Sequence, residues 1–154
     1  MNEFTITQAN EDDLPAILDV QKKAFLAVVK TFHLKSLPPL EQSLESLTDD
    51  FAKGMVLKLS IGNAIVGSVR AYQKDETCHI ERLVVLPEYQ NRGIGKALMH
   101  EIETRYTNIV KRYELFTGTR DSRNRHFYDQ LGYKPFKTEK LNEEISFIFM
   151  GKSA

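Results

Sequence analysis

The sequence predicts an α+β protein in which helices cover a central sheet, and three observations carry that reading. The chain has 154 residues, enough to bury one sizeable core. Apolar residues recur at helical spacing over the first third, then give way to runs rich in Val, Ile and Leu. From Gly93 onward helical and strand patterns alternate to the end. The order is β-α-α-β-β-β-α-β-α-β, a mixed sandwich forming one domain over residues 1–154, with no linker or internal repeat dividing it.

Phe4 to Thr7 alternates apolar and polar residues, as a short half-buried strand does. Asp12-Asp13-Leu14-Pro15 marks a helix start, with Asp12 as cap, acids at the positive end of the dipole and Pro15 in the first turn. Leu14, Ile17, Leu18, Phe25 and Val28 fall on one face of that helix. Leu40, Leu44, Leu47 and Phe51 repeat at helical spacing as a second helix that Gly54 ends. Met55 to Ile61, Ala64 to Tyr72 and Cys78 to Leu86 then form an antiparallel meander. Gly62-Asn63 and Lys74-Asp75-Glu76 are its hairpin connections. A helix from Gly93 to Tyr106 follows, with Ile94, Ala97, Leu98 and Ile102 on one face. Tyr113 to Thr117 is a strand, Ser122 to Leu131 a helix stopped by Gly132, and Ile145 to Met150 a last strand.

Composition narrows the function. Lys plus Arg and Asp plus Glu number 21 each, so no broad positive field invites nucleic acid or an anionic membrane. A local basic cluster can still hold a small phosphorylated ligand. The single cysteine, Cys78, has no partner for an internal disulfide, which suits a reducing compartment. Met1 to Thr5 carries neither a basic segment nor the start of an apolar one, and no apolar run approaches the roughly 20 residues that span a bilayer. The expectation is a soluble cytoplasmic protein.

The segment that carries chemistry runs from Leu83 to Ala97. It is an apolar strand, a turn containing Pro87, a Gly-x-Gly loop at Gly93 and Gly95, and the start of an amphipathic helix. Two glycines at a helix N-terminus let a ligand approach the backbone closely, and the first-turn amides have no intrahelical acceptor. With the helix dipole these donors suit a phosphate or pyrophosphate, and Arg92 and Lys96 add charge beside it. A Walker loop is excluded, because the glycines are too close and Ala97 stands where a hydroxyl residue is needed. A dinucleotide fingerprint is excluded too, because Leu98 replaces the third glycine and the preceding strands are antiparallel. Gly-x-Gly alone equally describes a helix that merely begins with two glycines.

Two motifs together say more. Gln90-Asn91-Arg92-Gly93-Ile94-Gly95 after a Leu-Val-Val strand, and Phe127-Tyr128-Asp129-Gln130-Leu131-Gly132-Tyr133 downstream, resemble the two signatures of the GNAT (general N-acetyltransferase) superfamily. The resemblance follows the element order over nearly the whole chain and is sharpest from residue 79 to 133. It implies a mostly antiparallel sheet of about seven strands flanked by about four helices and splayed between strands 4 and 5. Acetyl-CoA is the implied co-substrate, with no metal, and homodimers are common in the family. The main chain of Leu83, Val84 and Val85 would pair with the pantetheine arm as an added strand pairs with a sheet edge. The amides of Asn91, Arg92, Gly93, Ile94, Gly95 and Lys96 would hold the pyrophosphate. A bulge near Arg82 would open the splay.

The same resemblance puts Tyr128 at the position of the general acid. A tyrosine with its ordinary pKa of about 10 is protonated and able to donate. For the base, Glu81 leads, His79 follows and Glu114 is third; alternation puts His79, Glu81 and Leu83 on one face. The family's pantetheine-contacting Asn falls at Asp121, while Asn124 lies nearby, so either residue is a candidate. Arg120, Arg123 and Arg125 can meet the 3′-phosphate of CoA. The loop from Lys30 to Glu41, with Phe32, His33, Leu34, Leu37, Pro38 and Pro39, can wall the acceptor pocket. The function so implied is transfer of an acetyl group from acetyl-CoA to a primary amine. The alternative on the same fold is a non-catalytic acyl-CoA-binding module, which would bind acetyl-CoA without turnover.

Overall fold

The computed structural model describes residues 3–154, and the reading of Met1 and Asn2 as free of a leader lies outside them. Strands β1 (Thr5–Gln8), β2 (Met55–Ile61), β3 (Ala64–Lys74), β4 (Thr77–Val85), β5 (Arg112–Gly118), β6 (Lys134–Lys140) and β7 (Ser146–Ser153) form one sheet. Their order is β1-β2-β3-β4-β5-β7-β6, and every neighbouring pair is antiparallel except β4 and β5. The helices are α1 (Leu14–Phe32), α2 (Pro38–Glu41), α3 (Leu44–Lys53), α4 (Ile94–Tyr106) and α5 (Ser122–Gln130).

The mixed α+β reading with an antiparallel meander is what the structure has, with local corrections. The helix expected over Leu40 to Phe51 is two helices. Gln42 adopts an extended backbone, and the Ser43 hydroxyl accepts from the Ser46 N–H at 3.1 Å to cap α3. The start of α1 is preceded by a 3-10 turn, and the Asn10 N–H donates to the Asp13 carboxylate at 2.9 Å. Asp12 therefore plays no capping part there. β6 has no counterpart in the periodicity, because all seven of its residues are exposed and it carries Pro135. It lies at the sheet edge, where a residue without an N–H is tolerated.

Helices α4 and α5, with Tyr133 just after α5, cover one face of the sheet, burying Leu98, Met99, Ile102, Tyr128 and Tyr133 against Leu57, Val69, Ile80 and Leu115. Helices α1 and α3 cover the other face over β1 to β4, through Leu14, Ile17 and Leu47 on Val56, and Val20 and Ala24 on Val84.

Two irregularities position the site. β4 and β5 pair only from Thr77 to His79 against Arg112 to Glu114, and diverge beyond. At the point of divergence Ser68 opposes Val84 but Arg70 opposes Glu81, so Val69 faces both Arg82 and Leu83. Arg82 is left-handed, φ 54°, which costs about 1–2 kcal/mol for a residue with a Cβ. The extra residue reverses the alternation. Glu81 shares a face with Arg70 and Asp50, whereas Leu83 packs with the α4 core and Val84 with α1. The expectation that His79, Glu81 and Leu83 share a face is corrected by this bulge.

Candidate acetyl-transfer site

The splay opens a cleft of about 220 Å³ between β4 and β5. Ile80 to Leu83 line one wall and Leu115 to Asp121 the other, with Asn124 and Tyr128 of α5 at its end. Phe25, Val28 and Phe32 of α1, with Leu34, Leu37, Pro38 and Pro39 after it, close the α1 side. Phe32, Leu34, Leu37, Pro38 and Pro39 are the residues read from the sequence as an acceptor wall; His33, named with them, is not part of the lining.

What holds the wall is a buried polar network invisible in the apolar pattern. Arg70 donates to Gln21 Oε1, Gln42 Oε1 and Asp50 Oδ2, each at 3.0 Å. Gln21 Nε2 in turn donates to the Pro39 carbonyl at 2.9 Å. Burial, and then the neighbouring Arg82 charge, push the Arg70 pKa down to about 10. α1, α2 and α3 are thus fixed to β3 by acceptors that a buried guanidinium requires.

The open edge of β4 is offered selectively. The Leu86 N–H bonds to the Val66 carbonyl at 2.9 Å, so the Ser68–Val84 pair, two residues along, also directs its peptide groups inward. Leu83 and Val85, not Val84, turn their main-chain groups to the open side. The Val85 carbonyl already accepts from Gln90 Nε2 at 3.1 Å.

Past this edge, Asn91 (φ 64°) and Gly93 (φ 80°) are both left-handed. A Cβ on Gly93 would meet nothing within 4 Å, so its conformation and not crowding calls for glycine. The first bond of α4 runs from the Ala97 N–H to the Gly93 carbonyl at 3.0 Å, leaving the amides of Ile94, Gly95 and Lys96 without helical acceptors. Gly95 sits 3.5 Å, measured from its ideal Cβ, from the Phe127 ring, so it also admits α5. Arg92 lies over the Tyr89 ring, 5.2 Å from its centroid.

The acid and base candidates separate clearly. Tyr128 is buried, lines the cleft and packs edge-on against Phe127 and Tyr133. Burial, and then the Asp121 carboxylate, hold its phenol well above the usual tyrosine range, so it stays protonated. Glu81 lines the cleft as well as a second cavity with Asp50 and Arg70. His79 stacks on Tyr72 at 5.0 Å, and Glu114 is ion-paired to Arg112 at 2.8 Å; neither lines the cleft.

Asp121 caps α5 by accepting from the Asn124 N–H at 3.0 Å, while Asn124 Nδ2 donates to Thr117 Oγ1 at 3.3 Å. The Asp121 carboxylate is therefore engaged at the cap, and the Asn124 side chain is tied to Thr117 on the β5 wall of the cleft. Of the three arginines, Arg123 bonds Asn91 and Arg120 bonds the Phe32 carbonyl. Glu144 also lines the cleft and accepts from the Lys35 N–H at 3.4 Å; no sequence pattern marks it.

A family model described as an acetyltransferase (GNAT) domain matches residues 17–154. The chain belongs to the GNAT acetyltransferase family. Its fold is shared with the PaiA N-acetyltransferase of Thermoplasma acidophilum, solved with coenzyme A. That match has a TM-score of 0.82 at 19% identity over 99% of each chain. The ribosomal-protein-S18-alanine N-acetyltransferase of Escherichia coli matches with a TM-score of 0.80 at 17% identity, over 98% of this chain and 94% of that one. A GNAT acetyltransferase from Elizabethkingia anophelis with acetyl-CoA bound matches at 0.77 and 18% over the whole of both. No curated protein sequence matches the chain. Among the described residues, no helix of this GNAT domain is long and apolar enough to cross a membrane.

Proposed function

We propose that the chain transfers the acetyl group of acetyl-CoA to a primary amine, with Glu81 as general base and Tyr128 as general acid. The observation that carries this reading is that Glu81 and Tyr128 line one cleft, opened where β4 leaves β5 and flanked by the unpaired edge at Leu83. The left-handed Asn91 and Gly93 and the free first-turn amides of α4 suit the pyrophosphate of acetyl-CoA. Asn124 suits the pantetheine arm. Glu81 takes a proton from the ammonium, and the neutral amine attacks the thioester carbonyl. The C–N bond forms, and the C–S bond breaks as Tyr128 gives its proton to the departing thiolate. The nitrogen sheds its second proton to water as the neutral amide forms, and Tyr128 is reprotonated from solvent. The test is thiol release from acetyl-CoA across small amines, amino acids, aminoglycosides and peptides. Release with some acceptor supports the enzyme; tight acetyl-CoA binding with none turned over makes the chain a binding module.

A further inference from the structure

Consecutive residues of a regular strand project to opposite faces, so the sheet should divide Glu81 from Arg82. At the bulge that division breaks down: Arg82 is left-handed, its charge acts with those of Glu81 and Asp50 around Arg70, and both Glu81 and Arg82 line the cleft. A carboxylate and a guanidinium one residue apart therefore open on the same space. Strain held at one non-glycine residue beside a cleft is a common mark of a functional position.

The two cations have different company. Arg70 is met by Gln21, Gln42 and Asp50. The Arg82 side chain forms no ion pair or hydrogen bond among the described residues. Its Nε is buried without a partner, as is that of Arg70, but Arg82 has no acceptors on its other nitrogens either. Of the other cleft charges, Arg120 is engaged on the Phe32 carbonyl, Asp121 on the α5 cap and Glu144 on the Lys35 N–H, which leaves Glu81 and Arg82 for a ligand. A half-buried guanidinium with no acceptor of its own calls for an anionic one from a ligand.

We propose that Arg82 binds a carboxylate of the acceptor, and that the acceptor is a free α-amino acid with an apolar side chain. This rests on the acetyltransferase reading with Glu81 as base. An α-amino acid carries its ammonium and carboxylate on one carbon, so the groups receiving them must be close neighbours, as Glu81 and Arg82 are. The planar guanidinium fits a carboxylate through two parallel hydrogen bonds. The apolar wall of Phe25, Val28, Phe32 and Leu37 receives the side chain. A polyamine would leave Arg82 without an anion and bring a second cation against it, and a peptide N-terminus presents an amide in place of the carboxylate.

The test compares phenylalanine, phenylalanine amide and phenethylamine on the wild type, Arg82→Lys and Arg82→Gln. It uses thiol release and, separately, calorimetric titration with CoA present. The wild type should favour phenylalanine over both analogues by roughly ten- to hundredfold in kcat/KM, the scale of a hydrogen-bonded charge pair. That ratio should collapse toward one in Arg82→Gln and fall between in Arg82→Lys. A wild-type preference for either analogue, or an equal loss on all three acceptors, overturns the proposal, and the wild-type comparison decides even if a variant fails to fold. Phenylalanine binding that disappears in Arg82→Gln, with no turnover of any acceptor, keeps the carboxylate site and removes the transferase reading. No phenylalanine binding and no turnover of it removes the site.

Discussion

Arg123 Nη2 donates to Asn91 Oδ1 at 3.0 Å, joining the first turn of α5 to the left-handed loop ahead of α4. The bond ties Asn91 of the first signature motif to the helix that carries the second. Arg123→Ala should lower CoA affinity by roughly fivefold, the contribution of about one ordinary hydrogen bond, since this one is exposed to solvent. Calorimetric titration checks it, and unchanged affinity would show that α5 does not hold the loop.

Gly93 has open space where a Cβ would lie but a φ of 80°. Gly93→Val should cost about 1–2 kcal/mol of stability from the left-handed backbone and abolish CoA binding by placing a side chain over the amides. A folded variant that binds CoA normally would remove the loop from the site.

Glu81→Gln should lower the turnover number by roughly 10²-fold, the usual scale for losing acid–base help. The loss should shrink as pH rises and the amine becomes neutral unaided. A loss constant across pH would instead mean a binding or structural role for Glu81.

Tyr128→Phe keeps the ring against Phe127 and Tyr133 and removes only the hydroxyl. CoA affinity should change by less than about 1 kcal/mol, and turnover should fall by roughly 10²-fold. Because burial holds the phenol above its ordinary range, its ionisation should not produce the alkaline limb of the rate profile. Wild-type turnover in the variant would make Tyr128 a packing residue only.

Burial, with Glu103 adding to it, pushes the Cys78 thiol up to about 12. An unfolded thiol ionises near about 8.5. Between those values the unfolded chain releases a proton that the folded chain keeps, so stability present at neutral pH is lost as pH rises. Urea midpoints between about pH 8 and 9.5, below the tyrosine range, should fall in the wild type and flatten in Cys78→Val. Equal slopes in the two proteins would contradict it.

The family was legible, and the loop and tyrosine proposed for phosphate and acid could be picked out, because each is written in contiguous residues. Gln90 to Gly95 and Phe127 to Tyr133 are local signals, and Gly93 does at a helix N-terminus what its lack of a Cβ allows. The apolar loop after α1 was legible as a wall for the same reason. β6 was not: its exposed, charged residues carry no apolar period, and it exists by pairing with β7.

The sequence by itself thus determined the order of the elements apart from β6 and the break between α2 and α3, the meander and the residues of both motifs. Only tertiary structure decided that Glu81, and neither His79 nor Glu114, reaches the cleft. It also decided that Leu83 and Val85 offer the open edge, and that Arg82 joins Glu81 on one side. Strand alternation is a property of one chain segment, but a bulge is defined by two. Which residue is left over depends on how β3 registers against β4, and a residue's own neighbours in sequence do not encode that register.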